Sequence, residues 1–187
     1  CVFHPAKAAP FFLMLPINTQ PQKVTVNLAA LPEKPSSAVV GPCQPERLRE
    51  AADLIASASK IVIKAGGGTR GHDVAIRRLA EASGAVVALS PGSLGVLAEN
   101  DPRNMHVGGS KGSISGNYAM TEADLLIVIG SRAVCQADCS GIGYKNAKHV
   151  ININYDLTDA QHYNHTTALV GDIPLVANDL STLLEAS

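Results

Sequence analysis

Tryptophan is absent from these 187 residues, and aromatic side chains of all kinds make up only 4% of them. That removes the platforms on which single-stranded nucleic acids stack. An excess of either charge is also missing, because 15 basic residues against 16 acidic ones leave a formal net charge of -1. Without a basic footprint DNA and RNA are excluded as expected partners, and a small molecule or another protein takes their place. Cysteine is scarce: Cys1, Cys43, Cys135 and Cys139 are too few and too irregularly spaced for a secreted disulfide scaffold, and they read as reduced thiols of a cytoplasmic protein. Cys135 and Cys139 stand as C-x3-C with no second pair, so zinc would have to borrow His149, His162 or His165, and no metal site is expected.

Long apolar runs are missing too. The strongest one near the start, Pro10 to Ile17, is far shorter than the roughly 20 residues of a membrane span. It carries two prolines and no small-residue cleavage site follows, so it reads as a buried strand rather than a signal peptide. The chain opens on Cys1 rather than Met, as a fragment or a processed product would. What remains is ordinary: 46% hydrophobic and 17% charged residues describe a globular chain long enough for one full domain.

Pro21, Pro32, Pro35 and Pro42, mixed with Ser36 and Ser37, mark residues 21–44 as a linker. After it, Leu48, Ala51, Ala52, Ile55 and Ala56 recur at helical spacing behind Pro45 and Glu46, which predicts a helix over 45–58. Lys60 to Ala65 is a β-branched run ending in Gly66-Gly67-Gly68, and 72–83 then shows Val74, Ala75, Leu79 and Ala80 on one helical face. Further strands are expected at 85–89, 123–129, 149–153 and 167–170, with helices over 116–121 and 174–184. Apolar strands alternating with helices imply a parallel sheet covered on both faces, since parallel strands need crossover connections. Ligands of such sheets sit outside the carboxyl ends of the strands, here Gly66–Gly68, Pro91-Gly92-Ser93, Gly130-Ser131-Arg132 and Asn154-Tyr155-Asp156.

Gly66, Gly68 and Gly71 match G-x-G-x-x-G literally, and backbone amides there could face a pyrophosphate. The next strand ends in Leu89-Ser90, however, without the acidic residue that holds a ribose, so a tight turn without ligand is an equal reading. Gly108-Gly109-Ser110-Lys111-Gly112-Ser113 is a second glycine-rich loop that lacks the P-loop order, so phosphate hydrolysis is not indicated. Ser93, Ser110, Ser131 and Ser140 lie in turns, none in the setting of a nucleophile elbow. His162 and His165 read as solvent-exposed. No catalytic constellation is visible within the chain.

The order of these pieces resembles the central domain of thiamine diphosphate-dependent enzymes of the acetolactate synthase type. Lys64-Ala65-Gly66-Gly67-Gly68, Gly92-Ser93-Leu94-Gly95, Gly109-Ser110-Lys111-Gly112 with Asn117, Ala123 to Arg132, and Ile151 to Asn154 fall in that family's order. The resemblance implies an α/β fold with a doubly wound, mostly parallel, six-stranded Rossmann-like sheet. Residues 1–20 would be the tail of a preceding pyrimidine-binding domain, 21–44 the linker and 45–187 the central domain. Some family members hold FAD or ADP in this domain, and the matching loops offer Gly67, Gly68, Leu94, Gly112, Gly130, Arg132, Asn152 and Asn154. Flavin-binding relatives continue after the arginine with an aromatic and acidic run, where this chain has Ala133 to Ala137, and carry aspartates where it has Asn152 and Asn154. These departures argue against a flavin and bring the chain closer to the trihydroxycyclohexanedione hydrolase branch.

By the same resemblance the parent enzyme acts on 2-oxo acids or diketones as a carboligase, lyase or C–C hydrolase. It binds thiamine diphosphate and magnesium outside this chain, in flanking pyrimidine- and pyrophosphate-binding domains, and assembles as a homo-oligomer. Gly171-Asp172 is followed by Ile173 and is not the family's Gly-Asp-Gly metal motif. The alternative from another class is a stand-alone nucleotide-binding or regulatory module without catalysis.

Overall fold

β-branched side chains crowd a helix but fit a pleated surface, and Ile61–Ala65 accordingly forms β1. The computed structural model describes residues 9–31, 40–132, 143–161, 163 and 165–186. Within them β1 is followed by β2 (Val86–Leu89), β3 (Asn104–Val107), β4 (Leu125–Ile129), β5 (His149–Asn154) and β6 (Thr166–Val170). The helices are α1 (Pro45–Ser57), α2 (Asp73–Ser83), α3 (Ile114–Glu122), α4 (Leu157–Ala160) and α5 (Ile173–Glu185). The strands pair in parallel in the order β3-β2-β1-β4-β5-β6, so the chain starts in the middle, runs to one edge and returns to build the other half. This is the doubly wound six-stranded sheet expected from the sequence, and its order reverses between β1 and β4.

Every residue of β4 is buried, as a strand covered on both faces requires. On one face Ile63, Val87, Ile127, Ile151 and Leu169 meet the apolar stripes of α1, α2 and α5, where Leu48, Ile55, Ile76, Leu79, Val176 and Leu180 are buried. On the other face Val62, Ala88, Leu126, Val128 and Val150 meet Met120 of α3 and Tyr144. Local chemistry fixes the helix ends. Gly84 closes α2 at φ +68, accepting no side-chain strain, and the Ser113 hydroxyl accepts the Gly116 N–H at the start of α3. No helix among the described residues is long and apolar enough to cross a membrane.

The chain divides into two compact units, 1–40 and 41–187, and the sheet lies wholly in the second. In the first, the run from Phe11 to Ile17 is not the buried strand expected of it: its described residues form no strand, and Phe12 and Ile17 are 83% and 85% exposed. A strand needs a neighbour to satisfy its N–H and C=O groups, and among the described residues this segment pairs with none. The linker contains one short 3-10 turn, Leu28–Ala30, and its residues 32–39 lie outside the described ones. In the second unit the pattern missed β3, whose residues Asn-Met-His-Val carry little apolar periodicity. It pairs only with β2, across a register shift, and His106 has φ +60. The single-turn helix α4 was missed as well. Cys1, Cys135, Cys139 and His162 fall outside the described residues.

Asp124 shows why β4 begins at Leu125 rather than Ala123. Its carboxylate accepts the N–H groups of Ser59 (3.0 Å) and Lys60 (2.9 Å), tying the entries of β4 and β1 together. Burial pushes this carboxyl up, but the Lys60 and Ser59 amides outweigh it and hold it below the usual carboxylate range. A carboxylate held low in the folded state stabilises above its unfolded pKa and loses that contribution as pH falls through the folded value. Asp124→Ala should therefore cost about 1 kcal/mol at neutral pH. In urea melts the gap between wild type and variant should close below about pH 4; a gap independent of pH would refute the assignment.

Candidate functional site

In an open parallel sheet the ligand crevice lies at the carboxyl ends of the two strands where the order reverses. Here those strands are β1 and β4, followed by Gly66–Thr69 and Gly130–Arg132. The two turns touch backbone to backbone: Gly66 N–H donates to Ile129 O (2.8 Å) and Gly68 N–H to Gly130 O (2.9 Å). A Cβ on Gly66 would stand 2.6 Å from Ser131 Cα, and one on Gly68 would stand 2.9 Å from Gly130 Cα. Gly130 itself needs φ +58. These glycines let two chains approach. Among the three in the triplet, Gly67 has no neighbour within 4 Å of a Cβ and faces open space.

The literal G-x-G-x-x-G is therefore not a dinucleotide fingerprint. Gly67–Thr69 is a 3-10 turn capped by Gly66, Gly71 adopts φ +81, and α2 begins only at Asp73 with His72 as its N-cap, so no glycine of the set opens α2. Asp73 in the first turn of α2 also repels an anion there.

Neighbouring loops join this floor. Ser90 and Ser93 hydroxyls both donate to Ala65 O at 2.8 Å, strapping the end of β2 to the end of β1. The Arg70 guanidinium donates to Gly92 O (3.1 Å), and the Asn154 amide to Ser131 O (2.9 Å). Beyond β3, Gly112 folds back on Gly108, where a Cβ would meet Gly108 Cα at 2.8 Å. Pro91, Val107 and Gly108–Gly112 line a cavity of about 250 Å³. Lys111 stands in its wall; elsewhere along the carboxyl edge Arg70 and Arg132 are exposed, and Leu94 is 64% exposed.

Of the predicted site residues, Gly67, Gly68, Leu94, Gly112, Gly130, Arg132 and Asn154 do gather at the carboxyl edge. Asn152 does not. It is fully buried in β5 with its amide donating to Asp159 O (2.9 Å), so it secures α4 rather than facing the loops. Gly68 has its N–H taken by Gly130 O, and Asn154 has its amide taken by Ser131 O. Sequence reasoning passed over Arg70, and also over Lys64, a cation inside an apolar strand run that was itself the signal. Two further groups at these edges have raised pKa values. Burial and then the Asp172 carboxylate push the Tyr155 phenol up, and burial pushes the Cys43 thiol up. Cys43 lines a second cavity of about 350 Å³ with Arg47, Gln161 and Ala168, none of them predicted site residues.

Residues 48–180 match the family described as thiamine pyrophosphate enzyme, central domain. The chain belongs to that family. It is thus the central domain of a thiamine diphosphate-dependent enzyme, and among curated proteins it is similar to acetolactate synthases. The large subunit of acetolactate synthase isozyme 1 from Escherichia coli (strain K12) is 32% identical over 147 residues, which are 75% of this chain and 25% of that protein. A probable acetolactate synthase large subunit from Methanococcus aeolicus is 25% identical over 185 residues, 96% of this chain and 31% of the relative. Acetolactate synthase 1, chloroplastic, from Zea mays is 23% identical over 176 residues, 94% and 26% of the two. The central domain thus spans about a quarter to a third of the length of these relatives, which carry further sequence beyond it.

Proposed function

We propose that this central domain holds the diphosphate of an adenine nucleotide, FAD or ADP, against the loops after β1, β2, β3 and β4. The parent enzyme would carry out carbon–carbon chemistry on a 2-oxo acid or diketone. The observation that carries the nucleotide reading is the cavity lined by Gly108–Gly112 with Lys111 in its wall, of a size for phosphate groups, on the same carboxyl edge as the exposed Arg70 and Arg132. Small residues and cations are what a phosphate chain requires, since backbone can approach and charge is balanced. The fit is to the diphosphate. Asn152 is fully buried with its NH2 held by Asp159 O, and Asn154 has its NH2 held by Ser131 O and its Oδ1 accepting the Tyr155 N–H, which supports ADP over a flavin contacted through those positions.

Arg132, Lys111 and Gly67 are the residues assigned to the ligand. The flanking pyrimidine- and pyrophosphate-binding domains would hold thiamine diphosphate with magnesium, the cofactor supplying the stabilised carbanion. A homo-oligomeric cytoplasmic enzyme is consistent with that organisation. Similarity to acetolactate synthases supports a carboligase of 2-oxo acids, whereas Asn152-Ile153-Asn154 favours the hydrolase of a cyclic diketone. Assaying the parent enzyme with pyruvate and with trihydroxycyclohexanedione separates the two.

Titration calorimetry of the 187-residue chain with FAD, ADP and coenzyme A tests the nucleotide reading directly. ADP should bind, and Arg132→Ala should weaken it about tenfold, the loss of one charge-assisted contact. Thermal stability of that variant should move by less than about 0.5 kcal/mol, because the side chain is exposed. No binding of any of the three ligands would sink the reading.

A further inference from the structure

We propose that Lys64 is a positioning residue for the bound diphosphate, a buried ammonium that pins the Gly108–Gly112 loop as an anion cradle and sets a fixed positive charge beneath it. This rests on the nucleotide reading above. Lys64 lies in the middle of β1, 1% exposed, in register with Ala88 and Val128 on the face covered by α3. Lysine is seldom fully buried, because its ammonium must be given partners to replace water. Its Nζ donates to Leu89 O (3.0 Å) and to Gly108 O (2.7 Å), the last carbonyl of β2 and the first of the glycine loop.

The same peptide group that offers Gly108 O to Lys64 offers the Gly109 N–H to Asn117 Oδ1 on α3 (2.8 Å). The plane of that peptide is thereby fixed from below by a cation and from the side by a helix. The rest of the loop follows from it: Gly112 N–H donates to Gly109 O (2.9 Å) and Ser113 N–H to Val107 O (2.6 Å). Gly108 and Lys111 both line the cavity. A ligand there would therefore meet Lys111 directly and, one peptide group away, the loop that the buried ammonium holds through Gly108 O, where solvent screens charge far less. The chemistry it favours is a phosphate or diphosphate rather than a neutral nucleoside.

Calorimetry with ADP and with adenosine, on the full chain carrying Lys64→Met, tests this. Hydrogen exchange at the amides of residues 109–112 provides a second readout. Expected are an ADP affinity about tenfold weaker, an unchanged adenosine affinity, and faster exchange in the loop. Equal losses for ADP and adenosine would mean a structural role alone and overturn the proposal, as would unchanged ADP affinity or unchanged exchange. Lys64→Gln, which can still donate to one of the two carbonyls without the charge, gives the same comparison if the Met variant fails to fold. A wild-type chain that binds no ADP removes the nucleotide reading and the anion role with it, whereas loss of ADP affinity confined to the variants separates the two.

Discussion

Gly66→Ala should lower the stability of the central domain by about 3 kcal/mol, near the upper end for an overpacked site. The methyl group would meet Ser131 Cα at 2.6 Å and Gly130 C at 2.7 Å. Both are backbone atoms, so no side chain can rotate aside. The turns after β1 and β4 would have to part, breaking the bonds from Gly66 N–H to Ile129 O and from Gly68 N–H to Gly130 O. For a domain of this size that loss corresponds to a melting temperature lower by about 9 °C. Gly67→Ala is the control: nothing lies within 4 Å of its Cβ, and its stability should stay within about 1 kcal/mol of wild type. Thermal melts of the pair decide the matter, since equal effects would show that the two turns do not meet as described.

Ile127→Ala should be as damaging or more so, by about 4 kcal/mol. Ile127 is fully buried at the centre of the sheet, with Ile63 of β1 and Ile151 of β5 beside it in register. Truncation leaves a cavity walled by three parallel strands whose hydrogen bonding resists collapse, so the transfer loss and the cavity term add. Urea titration should show a lower midpoint with an unchanged slope, and Ile127→Val should lose only about 1 kcal/mol. A loss below about 2 kcal/mol for the alanine variant would place the true core elsewhere.

Both effects bear on the site, because the carboxyl edge is only as well defined as the sheet beneath it. The clamp from Asn154 to Ser131, the strap from Ser90 and Ser93 to Ala65, and the bond from Gly68 to Gly130 each join turns that follow different strands. Their geometry is inherited from strand register.

Much of this was legible in the sequence. The apolar runs at 60–65, 85–89, 123–129, 149–153 and 167–170 alternate with helical stripes, and that alternation leaves a parallel sheet as the only economical arrangement. Gly66–Gly68, Gly130 and Asn154 could be placed at strand ends for the same reason. β3 could not, because Asn104 to Val107 forms a strand only through its pairing with β2 and has no apolar pattern of its own. The run from Phe11 to Ile17 is the opposite case: its composition suits a strand, but composition supplies no partner for its backbone, and its described residues form none here.

The sequence alone determined the fold class, the strand ends that bear the candidate site and the family, since each depends on patterns local to a few residues and on their order. Only the tertiary structure decided what individual residues do there. It separated Gly66 and Gly68, which pack against the turn after β4, from Gly67, which faces outward, and it turned Asn152 inward to α4. It also gave Lys64 its partners, Leu89 and Gly108, which lie 25 and 44 residues away along the chain. Hydrogen bonds of that span are set by the sheet order, and no pattern within β1 encodes which carbonyls the ammonium will meet.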